Sequence, residues 1–143
     1  PLGTFGSIKL LEGDFNNLLV INSDILTNFS LNKIVEYHVK EKNKVTLGVI
    51  SYYLDVPFGV LDFNEEQFIE IIEKPKYKHY VNSGINVFSN DSLKTLDKMK
   101  GKIDLPDFIN GITDKNKINK YEIKDYWVDV GTTESLAKAE KEW

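Results

Sequence analysis

The sequence predicts an α/β sandwich whose sheet is mostly parallel, with one antiparallel excursion. Two observations predict it. Apolar, strand-like runs alternate with segments that carry apolar residues at helical spacing, and a polar turn at residues 64–66 separates two strand-like runs as in a hairpin. In open α/β sheets, ligands bind beyond the carboxyl ends of strands. The polar residues that follow the strands are therefore the candidates for a functional site.

The first strand and helix are predicted from residues 18–39. Residues 18–21 form a continuous apolar run that ends before Asp24, which is typical of a strand covered on both faces, and we interpret it as a central parallel strand. Ser30 is a plausible N-cap of an amphipathic helix. The helical apolar stripe consists of Leu31, Ile34, Val35 and Val39. His38 lies beside this stripe, so we interpret it as a half-buried helix residue rather than a ligand.

The middle of the chain is rich in β-branched and aromatic residues and is predicted to be strands. Residues 45–53 form one strand, and residues 58–63 and 67–72 flank the polar turn as an antiparallel hairpin. Residues 81–88 form another strand, in which Gly84 indicates a bulge or a close approach of another segment.

Two short helices are predicted next. Asp91 or Ser92 caps a helix that extends to Met99, and Asp104 caps another that has Pro106 in its first turn. The apolar positions of this second helix are Leu105, Phe108, Ile109 and Ile112.

The C-terminal segment is predicted to be a broken strand and a closing helix. Residues 121–130 are extended, with a break near Asp125, and Thr132 caps the helix. The helix carries Leu136, Ala139 and Trp143 on one side.

Composition limits the classes of function. The 143 residues are 41% hydrophobic and 12% aromatic, enough for one domain with a core. The net charge of -4 leaves no basic face for nucleic acid, and no apolar run predicts a membrane span or a signal peptide. We therefore expect neither nucleic acid nor a membrane as partner. The absence of cysteine fits a reducing compartment, so a cytoplasmic location is expected.

Asp24 is the first candidate for chemistry, since it follows a buried strand at the edge of the predicted sheet. Its carboxylate could hold a divalent cation that bridges phosphates. An aspartate in this position is also a common turn former or helix cap, and by itself Asp24 does not decide between the two.

Five short segments, in order along the chain, resemble those of sugar-1-phosphate nucleotidylyltransferases. The segments are residues 2–7 (Leu-Gly-Thr-Phe-Gly-Ser), 22–24 (Asn-Ser-Asp), 73–75 (Glu-Lys-Pro), 81–85 (Val-Asn-Ser-Gly-Ile) and 127–132 (Trp-Val-Asp-Val-Gly-Thr). The resemblance is nearest to mannose-1-phosphate guanylyltransferase-like members. It implies a Rossmann-like three-layer sandwich, of which residues 1–143 are the C-terminal part of the nucleotidyltransferase domain.

The resemblance implies a magnesium ion held by two carboxylates, those of Asp24 and Asp129, together with phosphate oxygens and water. It also implies that the backbone of Gly3 and Thr4 lies against the nucleotide base, where a glycine lets the base approach. A tight turn alone is the other interpretation of Gly3 and Thr4. We interpret Trp127 as a core residue.

The sugar phosphate is expected to be held by the remaining matched residues. Lys74 would place its charge on the phosphate, and Glu73 would accept hydrogen bonds from sugar hydroxyls. Without the resemblance, these two residues are a solvated pair at a strand end. Asn82 would line the sugar pocket through its amide, and Gly84 through a close backbone approach.

Some features depart from the family pattern. Phe5 replaces alanine, which adds a ring where the base should lie, while Ser23 replaces glycine and Thr133 replaces a frequent proline. The family's N-terminal strand and glycine-rich triphosphate loop have no counterpart in these residues. We therefore expect a segment N-terminal to Pro1, little activity of the chain alone, and either self-association or pairing with that segment.

The expected reaction joins a nucleoside triphosphate to a sugar 1-phosphate and gives a nucleotide sugar and pyrophosphate. GTP is modestly preferred, although the residues do not decide which sugar and which base are used. The alternative is a non-catalytic regulatory subunit that binds a sugar nucleotide. The observation that favours it is Phe5, which replaces the family's alanine. A metal-dependent glycosyltransferase fits less well, because residues 22–24 lack the Asp-X-Asp arrangement.

Overall fold

The computed structural model describes residues 2–142, which form eight strands and five α-helices. The strands are β1 (Asn17–Ile21), β2 (Ile25–Thr27), β3 (Val45–Asp55), β4 (Val60–Asn64), β5 (Gln67–Ile72), β6 (Lys76–Ser89), β7 (Ile118–Glu122) and β8 (Trp127–Asp129). The helices are α1 (Gly3–Gly6), α2 (Leu31–Lys40), α3 (Asn90–Leu93), α4 (Leu105–Gly111) and α5 (Thr133–Glu142). Short 3₁₀ helices occupy Ser7–Leu10, Lys94–Lys98 and Lys115–Lys117. Among the described residues, no helix is long and apolar enough to cross a membrane.

The chain forms two compact units. The first contains the residues up to Val49 and those from Asn82 onwards, and the second is Ile50–Val81. The second unit contains the β4–β5 hairpin, whose strands pair antiparallel as predicted, with Leu61 opposite Ile71.

The main sheet has the strand order β1-β6-β3-β7. β1 runs antiparallel to β6, with Ile21 opposite Ile85, whereas β7 runs parallel to β3, with Val45 opposite Ile118. β2 and β8 form a separate antiparallel ribbon. The α/β class with a mixed sheet is thus confirmed, but the prediction of a mostly parallel sheet is wrong, because the pairing is mostly antiparallel.

The prediction that β1 is a central parallel strand is also wrong. It lies at one end of the sheet order, and Asn17 to Val20 are half-buried. A continuous apolar run indicates that the faces of a strand are covered, but it does not indicate the direction of the neighbouring strand in the sheet. Here β1 pairs with β6, which runs antiparallel to it.

Helix α2 begins after Ser30, as predicted, but it buries a different stripe. Ile34 is buried, and one turn later the buried residue is His38, which is 1% exposed, while Val39 is exposed. The interpretation of His38 as half-buried is therefore corrected. A histidine this deep requires partners for both ring nitrogens.

A buried chain of hydrogen bonds supplies those partners. The side-chain oxygen Oδ1 of Asn17 lies 3.1 Å from His38 Nε2 and can only accept, so Nε2 carries the proton and Nδ1 accepts from the Thr46 hydroxyl at 2.9 Å. The Thr46 hydroxyl in turn accepts from the side-chain amide of Asn43, and the side-chain oxygen of Asn43 accepts from the Asn119 side chain. The network joins β1, α2, β3 and β7, and it requires a neutral imidazole.

We expect the free energy of unfolding to fall as the pH drops below about 6.5, the ordinary pKa of histidine. Burial lowers the pKa of His38, so in this range the unfolded chain binds the proton more readily than the folded one. Urea unfolding at steps from pH 8 to pH 5 measures the effect. His38→Gln should remove this part of the pH dependence, whereas His79→Gln, which changes an exposed histidine, should leave it in place. Equal pH profiles for the parent and His38→Gln would contradict the assignment.

The hydrophobic core of the first unit lies between the main sheet and helices α1, α3 and α4. Its buried residues are Phe5, Val45, Phe88, Leu93, Leu96, Ile103, Phe108 and Ile112. Phe5 stacks on Phe108 with ring centroids 4.7 Å apart, and it lies 4.9 Å from Phe88. Phe5 is therefore a core residue, and the expectation that its ring occupies the place of the base is wrong.

Helix caps follow the predicted positions only in part. The α3 cap is Ser89, whose hydroxyl accepts from the Ser92 amide, rather than Asp91 or Ser92. Asp104 occupies the N-cap position of α4 but makes no side-chain cap there. Thr132 caps α5 as predicted, since its hydroxyl accepts from the Ser135 amide at 3.1 Å. On α5, the side that was predicted to be apolar is mixed: Ala139 is buried, Leu136 is exposed, and Trp143 lies outside the described residues.

Candidate active site

Asp24 and Asp129 lie side by side on the β2–β8 ribbon. Ile25 is opposite Asp129 in the register, and the Val130 amide donates to the Asp24 carbonyl at 2.8 Å. Residues more than 100 positions apart in sequence are thereby held as neighbours by backbone hydrogen bonds. The arrangement places two like charges together at one end of a short ribbon.

Gly131 leaves the space between these two carboxylates open. A Cβ on Gly131 would lie 2.9 Å from Asp129 Oδ1 and 3.4 Å from Asp24 Oδ2, which bounds the separation of the two oxygens at about 6.3 Å. The Gly131 amide also donates to Asp129 Oδ1 at 2.8 Å, which fixes the orientation of that carboxylate. Any side chain at position 131 would enter this space, so glycine keeps it free.

The carboxylate pair fits a hard divalent cation. Asp24 Oδ1 is buried and has no hydrogen-bond partner among the described residues, although buried polar atoms are nearly always paired. Within residues 2–142, no cluster of three acidic, histidine or cysteine side chains forms. Magnesium commonly takes one or two protein carboxylates and completes its shell with phosphate oxygens and water. The donor set therefore matches the ion that the resemblance implies.

The strand β6 bends sharply at Gly84, next to this ribbon. Gly84 has φ +74, and a Cβ there would lie 3.0 Å from the side chain of Asn22. The backbone amide of Asn22 donates to the backbone carbonyl of Gly84 at 2.8 Å, so the end of β1 is held against the bend. The predicted bulge or close approach at Gly84 is thus confirmed as a feature of the fold.

Trp127 connects the ribbon to β6. Its indole N–H donates to the Ser83 carbonyl at 2.8 Å, and the side chain is half-buried rather than enclosed in the core. This hydrogen bond between Trp127 and Ser83 therefore holds the β2–β8 ribbon next to the bend at Gly84.

Asn82 lies beside the bend and is exposed. Its carbonyl oxygen accepts from the Gly84 amide at 2.7 Å, and its amide pairs with that of Asn86. Asn82 and Gly84 thus occupy one place in the fold, where an exposed amide lies beside a buried glycine that packs against the Asn22 side chain.

Gly3 and Thr4 belong to helix α1 and are tied to the segment before α4. Gly3 has φ +87, and a Cβ there would overlap the backbone of Ile103, so the close approach requires glycine. The Thr4 amide and hydroxyl both donate to Asp104 Oδ1, at 2.8 and 3.1 Å. The Lys102 ammonium, 2.8 Å away, and these Thr4 bonds lower the pKa of Asp104 to about 2. The donors of Thr4 are thus engaged within the protein.

Glu73 and Lys74 belong to the second unit and are exposed. Lys74 has φ +46, an uncommon conformation for a residue with a Cβ, and its amide donates to the Phe58 carbonyl at 3.2 Å. The Glu73 carboxylate lies over Gly59, where a Cβ would meet Oε2 at 3.0 Å. The backbone that carries these two side chains is thus held in a fixed turn.

Two residues of the site were not identified from the sequence. Gly131 lies in the matched segment 127–132, where the sequence predicts no role for it, and only the three-dimensional position of both carboxylates shows what it does. Asn86 interrupts the apolar run Ile85, Val87 and Phe88, and a polar residue in a buried strand is the signal that could have found it.

Comparison with known proteins decides the family. The model of the family described as Nucleotidyl transferase matches residues 5–143, nearly the whole chain. The chain belongs to the nucleotidyl transferase family. Within this family it is similar to sugar-1-phosphate nucleotidyltransferases, as the following relatives show.

A protein of Sulfolobus acidocaldarius provisionally named mannose-1-phosphate guanyltransferase is 31% identical over 136 residues, covering 91% of this chain and 37% of that protein. The glucose-1-phosphate adenylyltransferase of Bacillus licheniformis is 32% identical over 139 residues, covering 86% of this chain and 36% of that protein. The chain therefore spans about a third of the length of these relatives. HddC of Yersinia pseudotuberculosis has the same fold, with a TM-score of 0.66 at 24% identity over 99% of this chain and 63% of HddC, and it has also been solved complexed with GMP-PN.

Proposed function

We propose that this nucleotidyl transferase chain is the C-terminal part of the catalytic domain of a longer enzyme, which joins a nucleoside triphosphate to a sugar 1-phosphate. In this proposal, a Rossmann-like three-layer sandwich is completed by an N-terminal strand and a glycine-rich triphosphate loop. The observation that carries the proposal is the carboxylate pair of Asp24 and Asp129 beside Gly131, with a buried Asp24 oxygen that has no hydrogen-bond partner within residues 2–142.

In the reaction, an oxygen of the sugar 1-phosphate attacks the α-phosphorus of the nucleoside triphosphate, forming one P–O bond while the bond to the β-phosphate bridging oxygen breaks and pyrophosphate leaves. Mg²⁺ held by Asp24 and Asp129 would neutralise phosphate charge. The protein's part is positioning and electrostatic stabilisation, without a covalent intermediate.

The substrate contacts are assigned to the remaining site residues. Lys74 provides a point charge for the sugar phosphate, and Glu73 accepts from sugar hydroxyls. Asn82 and Gly84 line the sugar subsite. For the base, we assign the backbone of Gly3 and Thr4, on the side of Gly3 that does not pack against Ile103. The amide and hydroxyl of Thr4 both donate to Asp104.

GTP with mannose 1-phosphate is the substrate pair we favour, and the enzyme would act in the cytoplasm. The segments that resemble mannose-1-phosphate guanylyltransferases support this choice, as does the name of the Sulfolobus relative. The name of the Bacillus relative specifies glucose 1-phosphate and an adenylyl group instead, so the assay must compare bases and sugars. The rival function is a sensor that binds a sugar nucleotide without turnover. The observation that favoured it was Phe5 in place of alanine, and the burial of Phe5 in the core removes this support.

The experiment is an assay of pyrophosphate release by the protein extended at its N-terminus to the length of its relatives. ATP, GTP, UTP and dTTP are each paired with mannose 1-phosphate and glucose 1-phosphate, in the presence of Mg²⁺. We expect one pair to be turned over at least tenfold better than the others. The 143-residue chain alone should bind substrates but release little pyrophosphate. The absence of release with every pair would reject the enzyme in favour of the sensor.

In the same assay, Lys74→Ala should raise KM for the sugar 1-phosphate by roughly 10- to 100-fold, with a smaller effect on KM for the nucleotide. Alanine keeps the Cβ, so the change removes the charged side chain without relieving the backbone strain at φ +46. Lys76→Ala is the matched control, since Lys76 is an exposed lysine of the same segment and pairs with Asp55 at 3.4 Å. Equal kinetics for Lys74→Ala and the parent would refute the role of Lys74.

A further inference from the structure

The bend in β6 brings together two asparagines that a regular strand would keep apart. Asn82 and Asn86 are four residues apart, which in an extended strand corresponds to about 13 Å. The φ +74 of Gly84 takes the strand out of its extended conformation at this point, and the two side chains lie within hydrogen-bond distance of each other. The contact therefore exists only because of the bend.

The hydrogen bonds fix which atom of the Asn82 amide points where. The Gly84 amide can only donate, and it lies 2.7 Å from the atom it binds, so that atom is the Asn82 oxygen. The same oxygen accepts from Asn86 Nδ2 at 3.3 Å, and Asn82 Nδ2 donates to Asn86 Oδ1 at 3.1 Å. Both lone pairs of the Asn82 oxygen and one of its two N–H groups are thereby used. The other N–H of this exposed side chain has no partner among the described residues.

Asn86 itself is 1% exposed, between the buried residues Ile85 and Val87. A buried amide destabilises a strand unless it is paired, and an apolar side chain of similar volume would satisfy this position without a partner. The pair with Asn82 makes the polar residue acceptable, and in return Asn86 prevents rotation of the Asn82 amide.

We propose that Asn86 is a positioning residue. It fixes the orientation of the Asn82 side-chain amide, so that one N–H of Asn82 donates a hydrogen bond to an oxygen of the sugar 1-phosphate. This rests on the proposed function for the identity of the ligand. The acceptor is either a phosphate oxygen or a sugar oxygen, both of which accept from an amide N–H. With its acceptor capacity used, Asn82 cannot serve a ligand group that must donate to it.

The test compares the parent chain with Asn86→Leu, in which an apolar side chain of similar size removes the pair. Calorimetry with mannose 1-phosphate and with GTP should show roughly five- to tenfold weaker binding of mannose 1-phosphate and unchanged binding of GTP. Thr46→Val is the control, because Thr46 is equally buried but lies in the His38 network; we expect it to lower stability without changing either affinity. If Asn86→Leu does not fold, Asn86→Ser, which is too short to reach Asn82, replaces it.

A second measurement separates this inference from the proposed function. In the ligand-free parent, the side-chain NH₂ proton of Asn82 that donates to Asn86 should exchange with solvent more slowly than the second, exposed proton of the same group, and Asn86→Leu should remove this difference. This result would support the positioning role even if the parent bound neither substrate, in which case the proposed function alone would fail. Shifts of these protons on addition of inorganic phosphate or of mannose identify the acceptor oxygen. Equal exchange rates of the two protons in the parent, equal affinities in a folded variant, equal weakening for both ligands, or shifts with neither probe despite binding of mannose 1-phosphate would each overturn the proposal.

Discussion

Asp24→Asn and Asp129→Asn are each expected to slow pyrophosphate release by the extended protein by about 100- to 1,000-fold. Each change removes one of the two negative charges that face the space beside Gly131, and an amide is a much poorer ligand for a hard cation. The measurement is kcat at saturating Mg²⁺ and at saturating concentrations of both substrates. Asp125→Asn is the control, since Asp125 is a nearby carboxylate that pairs with Lys33 at 3.7 Å and belongs to no proposed site.

Although these variants lose turnover, their free energy of unfolding without Mg²⁺ should not fall. Two carboxylates whose oxygens are within about 6.3 Å repel each other, so removing one charge should leave the cation-free chain at least as stable as the parent. The parent should gain stability when Mg²⁺ is added, and the variants should not. Variants that retain parental turnover, or that still gain stability with Mg²⁺, would show that Asp24 and Asp129 are not the cation ligands.

The sequence allowed the prediction of features that depend on neighbouring residues. The β4–β5 hairpin follows from the polar turn between two β-rich runs, and the turn residue Glu65 indeed has φ +54. The N-terminal end of α5 could be predicted because Thr132 is a capping residue. The bend of β6 follows from a glycine in an apolar strand. In each case the physical cause lies within a few positions of the effect.

Features that depend on distant residues could not be predicted in this way. The direction of β1 depends on β6, which lies more than 60 positions away and whose antiparallel return leaves no trace in an apolar run. Asp104 looks like a cap for its own helix, yet its carboxylate binds Thr4, 100 residues earlier. The carboxylate pair is an intermediate case, because the resemblance selected both residues, while only the β2–β8 register shows how they are held together.

Phe5 shows how such a distant contact changes a functional interpretation. Within its own segment, a phenylalanine in place of alanine suggests an altered base site. The rings of Phe88 and Phe108, each more than 80 residues away, instead enclose it in the core at 2% exposure. An aromatic side chain in that environment contributes through burial and ring packing, and it is turned away from solvent.

We therefore expect Phe5→Ala to lower the free energy of unfolding by about 3–5 kcal/mol, the range for removing a buried aromatic side chain and leaving a cavity. If the ring instead covered the base site, the same change would leave stability nearly intact and strengthen nucleotide binding. Urea unfolding, monitored for its midpoint and slope, distinguishes the two, together with GTP binding under conditions where the variant is folded. Leu10→Ala is the matched control, because Leu10 lies in the same N-terminal segment but is 71% exposed, so its truncation should cost about 1 kcal/mol or less. A Phe5→Ala chain with parental stability and tighter GTP binding would restore the base-site interpretation and, with it, the case for a non-catalytic sensor.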